Sequence, residues 1–207
     1  MAKTIPMIIT NTDILVKDRE TDEFHVFEMP GITPAPNIPF YHCFAEKIAE
    51  SQYYFKEFMK KLYGKKPSKY ILAIIVPDDT SKLESIFINE FFLNSGACKA
   101  VAQMNMALAL SKDEEQYISV SKSSRNVTLE YIKNREVAVK KHYDLNTCTP
   151  EQIIRDAHIM HIDVGYDEIP IFVNNFNLNM EDFFEMGELI SKKKFLKTIA
   201  QIDVEKI

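Results

Sequence analysis

The sequence predicts an α/β protein made of two related lobes, each a mixed sheet flanked by helices, with the second lobe abridged. Two observations carry this prediction. Apolar runs with strand spacing alternate with segments of helical spacing, as they do in α/β layers. The order of three strands followed by helix and strand then starts over near residue 111. We therefore expect a first lobe over 1–110 and a shortened second lobe over 111–207.

Three short strands open the first lobe. Apolar runs separated by polar turns predict them over Ile5–Thr10, Asp13–Lys17 and Phe24–Glu28. Four prolines then predict an irregular loop, because proline lacks a backbone N–H and restricts the residue before it. These prolines are Pro30, Pro34, Pro36 and Pro39.

Helix and strand alternate from there to the end of the first lobe. Apolar residues at helical spacing predict a helix over 42–63, and Gly64 follows where a C-terminal cap belongs. Tyr70–Val76 is an almost unbroken apolar run, as expected of a strand covered on both faces. The predicted elements that complete the lobe are a helix over Lys82–Asn94, a strand beginning at Ala100–Gln103 and a short helical piece near Met104–Leu110.

The second lobe repeats this order in fewer residues. Its opening strands are predicted over Tyr117–Ser121, Asn126–Ile132 and Glu136–Tyr143. Thr149-Pro150-Glu151 then has the features of a helix N-terminus, with proline at the first helical position. A strand at Ile169–Val173 and a closing helix from about Met180 to Ala200 follow. This closing helix is placed so that it can pack back on the first lobe.

Composition and charge exclude several classes of protein. Hydrophobic residues make up 46% of the chain and charged residues 27%, the balance of a soluble globular protein. The net charge of -5 provides no basic face, so nucleic acid is not an expected partner. No apolar run is long enough to span a bilayer, and the N-terminus does not resemble a signal peptide. We therefore expect a cytoplasmic protein without a transmembrane segment.

The segment SVSKSSRN, residues 119–126, is the candidate binding site. It has the outline of a phosphate-binding strand–turn–strand, and a residual anion site would use five of its side chains: Ser121, Lys122, Ser123, Ser124 and Arg125. Polar turns are also common without any ligand, so the alternative is a solvated turn. His158 and His161 form only half of a metal-binding pattern. The sequence therefore indicates no catalytic residue, no metal site and no cofactor.

Three stretches together resemble a known family. FKEFMKKLYGKKPSKYILAIIVPDD (55–79) contains a helix, a Tyr-Gly turn and a strand ending in Val-Pro; INEFFLNSGACKAVAQMNMALAL (88–110) contains a helix, a Gly-Ala turn, a strand and an alanine-rich segment. IPIFVNNFNLNMEDFFEMGELI (169–190) contains a strand and a segment with a glycine. All three resemble the bacterial rod-shape protein MreB, of the actin and heat-shock-chaperone ATPase superfamily. The resemblance covers most of the chain and implies two RNase H-like, actin-like lobes.

The motifs with which the MreB family holds and hydrolyses its nucleotide are replaced at the matching positions. Pro6–Thr10 stands where the first phosphate loop has Asp and Gly, and Ser119–Ser124 stands where the second has Asp and three glycines. Gln103–Met106, which matches the position of the catalytic Glu, contains no carboxylate. Between Arg155 and Pro170 there is no room for the family's inserted subdomain and adenosine-binding turn. Glycine is needed in such loops because a Cβ would keep phosphate away from the backbone N–H groups.

The resemblance and these replacements together predict a non-catalytic, actin-like scaffold or interaction protein that has lost nucleotide binding, of the kind linked to bacterial cell shape or the cytoskeleton. Its partner is another protein or a second copy, because an abridged lobe leaves apolar faces to be covered. Two alternatives stay open. One is a weak nucleotide-binding protein or ATPase that uses the Lys122–Arg125 turn. The other is an RNase H-like, metal-dependent enzyme that uses Asp13, Glu28 and Asp163.

Overall fold

A computed structural model describes residues 4–31, 38–165 and 168–201 of the chain. Its first sheet has the strand order β3-β2-β1-β4-β5. The strands are β1 (Thr4–Ile9), β2 (Ile14–Lys17), β3 (Phe24–Phe27), β4 (Ile71–Val76) and β5 (Ala100–Asn105). Two helices accompany this sheet, α1 (Ile48–Tyr63) after a 3₁₀ segment at Phe40–Lys47, and α2 (Lys82–Asn94). The predicted proline loop falls largely on residues 32–37, which lie outside the described residues.

The second sheet has the strand order β10-β9-β6-β7-β8. Its strands are β6 (Gln116–Lys122), β7 (Asn126–Lys133), β8 (Glu136–Asp144), β9 (Ile171–Asn174) and β10 (Glu188–Ile190). Helix α3 (Pro150–His158) begins at the predicted Thr149 cap, whose side chain accepts a hydrogen bond from the N–H of Gln152. Helix α4 (Lys192–Ala200) closes the described part of the chain.

The two sheets have the same topology. In each, the first strand is antiparallel to the second and parallel to the fourth, so β1 corresponds to β6, β2 to β7, β3 to β8, β4 to β9 and β5 to β10. The prediction of two mixed sheets flanked by helices is confirmed. The abridgement lies in the helices, since α3 has 9 residues where α1 has 16. The lobe boundaries at residues 110 and 111 stay a prediction.

Buried side chains form three layers around the two sheets. Helices α1 and α2 cover one face of the first sheet, in a cluster that includes Phe55 and Phe92. The other face of the first sheet, with Ile8 and Ile75, shares a cluster with Tyr117 and Ile132 of the second sheet and with Phe195 of α4. Helix α3 and a 3₁₀ turn at Glu181–Met186 cover the far face of the second sheet. Apolar packing therefore joins the two sheets directly, with α4 in the shared layer.

The predicted closing helix over about 180–200 is wrong in its first half. The structure has the 3₁₀ turn at Glu181–Met186 and the strand β10 there, and α4 begins only at Lys192. The reason is Gly187, at which an added Cβ would lie 2.2 Å from the carbonyl oxygen of Ile171. This close approach lets β10 pair in parallel with β9, and the pairing outweighs the helical spacing of the apolar residues.

The end of the first lobe also differs from the prediction. Strand β5 continues to Asn105, so the first two residues of the segment predicted as helical belong to the sheet. Only a 3₁₀ turn at Ala107–Ala109 remains of the predicted helical piece. Pairing of β5 with β4 in full register explains the difference, because the ladder continues through Val76 and Asn105.

Candidate functional site at the interface of the two lobes

Two hairpin turns occupy equivalent positions in the two sheets and face the opposite lobe. In the β1–β2 turn, the backbone N–H of Thr10 donates to the carbonyl of Asp13 at 2.9 Å. The Thr10 Oγ1 atom accepts hydrogen bonds from the N–H groups of Thr12, at 3.2 Å, and Asp13, at 2.9 Å. A threonine side chain therefore satisfies the backbone donors of its own turn.

The β6–β7 turn repeats this arrangement with a serine. The backbone N–H of Ser123 donates to the carbonyl of Asn126 at 2.9 Å. Its Oγ atom accepts from the N–H groups of Arg125, at 3.0 Å, and Asn126, at 3.2 Å. A phosphate-binding turn directs such N–H groups toward its ligand. In both turns of this protein those donors already have an acceptor within the turn.

Arg125, at the tip of the second turn, forms ion pairs with two carboxylates of the first lobe. Its Nε donates to Asp79 Oδ2 at 2.7 Å, and its Nη1 donates to Glu84 Oε1 at 2.7 Å. Nη2 donates to the backbone carbonyl of Asp79 at 2.8 Å. The Asp79 side chain is 3% exposed and that of Glu84 11% exposed, so these ion pairs are largely shielded from water.

The pKa of Glu84 reflects these contacts. Burial alone would raise it, but hydrogen bonds from the Ser81 N–H and from Arg125 lower the pKa to about 2. Ser81 and Glu84 also form the capping box of α2, and His42 Nε2 lies 2.7 Å from Glu84 Oε1. The start of α2 thus fixes an ionised carboxylate that faces Arg125.

Two serines of the second lobe bond to neighbouring carboxylates of the first. Ser121 Oγ donates to Asp78 Oδ2 at 2.6 Å, and Ser123 Oγ donates to Asp79 Oδ2 at 2.6 Å. The other oxygen of Asp78 accepts from the N–H of Ala107 at 2.7 Å. Asp78 is buried, and burial raises its pKa.

The first turn also makes a bond to the opposite lobe. The backbone N–H of Asn11 donates to Asn177 Oδ1 at 2.8 Å, and Asn177 Nδ2 donates to the carbonyl of Lys122 at 3.1 Å. Asn177 follows β9 as Asp79 follows β4, so each hairpin tip bonds to the loop after the equivalent strand of the other sheet. We call the residues of these contacts the interlobe network: Asn11, Asp78, Asp79, Glu84, Ser121, Ser123, Arg125 and Asn177.

A buried ion pair lies beside the interlobe network. Lys140 Nζ is 2.8 Å from Glu130 Oε1, and the same ammonium donates to the backbone carbonyl of Asp78. Glu130 is fully buried on β7, and Lys140 lies opposite it on β8. Burial, with the nearby Asp78 carboxylate, raises the pKa of Glu130 to about 8.

The five residues of the predicted anion site all lie at or next to this interface. Arg125, Ser121 and Ser123 bond to carboxylates, and Ser124 Oγ is buried without a hydrogen-bond partner among the described residues. Lys122 ends β6 and contributes its backbone carbonyl. Anion binding by this turn stays a prediction. The guanidinium that would bind the anion already contacts two carboxylates, and these carboxylates would repel a further negative charge.

Two of the residues proposed for a metal-dependent enzyme, Asp13 and Asp163, lie in different lobes. Asp13 accepts from the hydroxyl of Thr12 in the first turn, whereas Asp163 accepts from Lys133 Nζ at 2.6 Å in the second lobe. Within the part of the chain that the structure describes, no group of three or more His, Cys, Asp or Glu could hold a metal ion. His158 and His161 line a shallow surface depression after α3.

The sequence interpretation missed the importance of Asp78, Asp79 and Glu84. The cap of α2 is Ser81, and both Asp78 and Asp79 contact the second lobe. A usable signal was present. Two consecutive carboxylates follow a buried strand at the edge where parallel strands end, the edge at which α/β proteins place functional groups.

Carboxylates and cations lie close together at this interface. The carboxylates are those of Asp78, Asp79, Glu84 and Glu130, and the cations are Arg125 and Lys140. The amides of Thr12, Asp13, Arg125 and Asn126 have acceptors inside their own turns. None of the helices in the described ranges is long and apolar enough to cross a membrane.

Comparison with solved structures identifies the fold. No protein-family model matches the sequence, and no curated protein matches it. A protein of unknown function with an actin-like ATPase fold, from Bacteroides thetaiotaomicron, superposes with a TM-score of 0.53 at 7% identity, over 98% of this chain and 96% of that chain. MreB 5 of Spiroplasma citri, solved with AMPPNP bound, superposes with a TM-score of 0.50 at 10% identity, over 76% of this chain.

These similarities show the fold. The chain has the two-lobed actin-like ATPase fold, and its predicted resemblance to MreB is confirmed at that level. The alignment covers 56% of MreB 5, so this chain corresponds to about half of that protein.

Proposed function

We propose that this protein is a non-catalytic scaffold or interaction protein of the actin-like fold, in which protein contacts replace a nucleotide between the lobes. In this proposal the interlobe network holds the lobes in one arrangement without ligand. The protein acts in the cytoplasm, through binding to another protein or to a second copy of itself. The MreB resemblance connects this role with bacterial cell shape or the cytoskeleton.

One observation carries the proposal, namely that both hairpin turns use their own side chains as acceptors for the amides that a phosphate would need. Thr10 does so in the first lobe and Ser123 in the second. The ion pairs of Arg125 support the same conclusion, because a phosphate would have to displace two shielded carboxylates. Loss of both sites together argues against a weak ATPase that uses only one of them.

The outer surface of the first lobe supports a partner. Helix α2 buries one face against the sheet and leaves Leu83 at 77% exposure and Ile86 at 52% exposure on another. These residues are three apart, so they lie on the same side of the helix. Exposed apolar residues grouped on one face are typical of contact surfaces.

Thermal unfolding with Mg-ATP and Mg-GTP tests the proposal. We expect no saturable change in the unfolding temperature with either nucleotide. A nucleotide that bound the native protein would stabilise it by about 2.7 kcal/mol at a hundredfold excess over the dissociation constant. Saturable stabilisation of that size would contradict the proposal. Sedimentation over a range of concentrations tests whether the protein binds a second copy of itself. A monomer at every concentration would leave only a different protein as the partner.

A further inference from the structure

Two carboxylates and one ammonium group lie together where the lobes meet. Glu130 and Lys140 come from neighbouring strands of the second lobe, and Asp78 comes from the loop after β4 in the first. Lys140 contacts Glu130 Oε1 at 2.8 Å and also donates to the Asp78 backbone. Asp78 is 3% exposed and Glu130 is 0% exposed. If both acids were ionised, this buried group would carry one uncompensated negative charge.

The other titratable groups around this cluster do not supply the missing positive charge. Arg125 and Asp79 pair with each other, so that cation is already used. Burial lowers the pKa of His142 on β8, which disfavours the charged form of its imidazole. Burial raises the pKa of Tyr117 on β6, whose hydroxyl donates to the carbonyl of Ala107. Among the residues that the structure describes, this cluster therefore contains two acids, Glu130 and Asp78, and one cation, Lys140, to neutralise them.

A buried unpaired charge is expensive, and a protein avoids it by binding a proton. We propose that Glu130 and Asp78 hold one proton between them at neutral pH, and that losing this proton loosens the contact between the lobes. The interlobe interface is then a pH-sensitive joint, closed when the proton is bound. This inference rests on the proposed function, since the joint regulates an interface that needs no nucleotide.

The direction of the pH dependence follows from the raised pKa of Glu130, which burial and the Asp78 carboxylate move from 4.5 to about 8. The folded protein binds this proton more tightly than the unfolded chain does. The stabilising contribution is therefore fully present below about pH 4.5 and is lost as the pH rises through about 8. One proton lost on unfolding makes the unfolding equilibrium constant rise about tenfold per pH unit in that window.

Denaturant unfolding across that window tests the inference, with wild type compared with Glu130→Gln. The slope of the unfolding free energy against pH reports how many protons are released on unfolding. We expect the variant to release one proton fewer than wild type, because glutamine keeps the shape of the side chain and cannot titrate. Asp78→Asn tests the second acid in the same way and should reduce the slope as well. Glu136→Gln, an exposed change on β8, is the matched control and should leave the slope unchanged. Equal slopes in wild type and both amide variants would overturn the inference.

A tryptophan reporter separates movement of the lobes from global unfolding. The chain contains no tryptophan, so Phe176→Trp places a single tryptophan, which can be excited selectively, in the cluster shared by both lobes. Its emission should change with a midpoint near pH 8 while the protein stays folded, and Glu130→Gln should abolish the change. A control reporter at Phe55→Trp, in the outer cluster of the first lobe, should not respond.

Unchanged emission from the Phe176→Trp reporter, or a change that persists when Glu130→Gln is added, would contradict a joint controlled by this proton. This fluorescence experiment can fail independently of the nucleotide-binding test. Nucleotide binding without the pH effect would remove the proposed function and this inference together, whereas absence of both would remove only the proton-controlled joint.

Discussion

The β1–β2 and β6–β7 turns share one design and differ at their tips. In both, a hydroxyl side chain accepts from two amides of its own turn. The first tip reaches the other lobe through the neutral backbone of Asn11, and the second reaches it through the cation of Arg125. The common part gives two amides of each turn an acceptor within the turn. The difference shows that the two lobes contribute unequally to the interface.

The two lobes differ in the charge of the side chains that they contribute to the interface. The first lobe supplies the carboxylates Asp78, Asp79 and Glu84, and the second lobe supplies Arg125 and Lys140. Opposite charges on the two sides attract and also fix the register in which the lobes meet. We therefore expect changes on the cationic side of the second lobe to have larger effects than changes in the neutral turns.

The largest expected effect belongs to Lys140→Met. Removing the ammonium leaves Glu130 and Asp78 buried without a countercharge, which costs about 3–5 kcal/mol for a buried pair. Urea unfolding at neutral pH measures the loss. Lys141→Met, at the next position of β8, is the control and should change stability much less, because its side chain lies on the opposite face. Equal losses in the two variants would show that the buried ion pair has no special role.

A smaller loss is expected for Arg125→Ala. Both ion pairs disappear and two shielded carboxylates lose their partner, which costs about 2–3 kcal/mol. Arg155→Ala, on the exposed surface of α3, should stay within about 0.5 kcal/mol of wild type. A double-mutant cycle with Glu84→Gln should give a coupling energy of at least about 0.5 kcal/mol. Additive effects would mean that the two lobes do not interact through this pair.

Gly187→Ala tests whether the second sheet is as complete as the first. The added methyl would lie 2.2 Å from the backbone oxygen of Ile171, so β10 must move away from β9. We expect a loss of about 1–3 kcal/mol in thermal or urea unfolding. Gly165→Ala, with nothing within 4 Å of the added atom, is the matched control. A neutral Gly187→Ala would contradict the parallel pairing of β10.

The smallest effects should come from the turns themselves. Thr10→Val and Ser123→Ala each remove one hydroxyl acceptor of two amides, at about 1 kcal/mol each. Ser123→Ala should cost more than Thr10→Val, because Ser123 also donates to Asp79 across the interface. Measuring the free energies of unfolding of both variants under the same conditions shows which substitution destabilises the protein more. The reverse order would mean that the bond to Asp79 adds nothing.

Most of the fold could be predicted from the sequence because its strands are apolar runs that polar turns separate. Ile71–Val76 is an example, since its composition fits only a covered strand. The region around β10 could not be predicted in this way. Its apolar residues have helical spacing, and the deciding contact, Gly187 against Ile171, joins residues that periodicity does not relate.

The candidate site was predictable only in part. The turn at Ser121–Arg125 was identified from its residues, and its lack of glycine argued against a phosphate cradle. Its partners Asp79 and Glu84 are more than 40 positions away, and only the pairing of the two sheets brings them to Arg125. Charge complementarity between distant segments becomes visible once the topology is known.

The most direct test follows the turn amides by NMR during a titration with Mg-ATP. We predict that the N–H resonances of Thr12, Asp13, Arg125 and Asn126 keep their positions, because each N–H already donates within its own turn. Saturable shifts of these four amides, at concentrations that leave the amides of α3 unchanged, would contradict the claim that protein contacts have replaced the nucleotide.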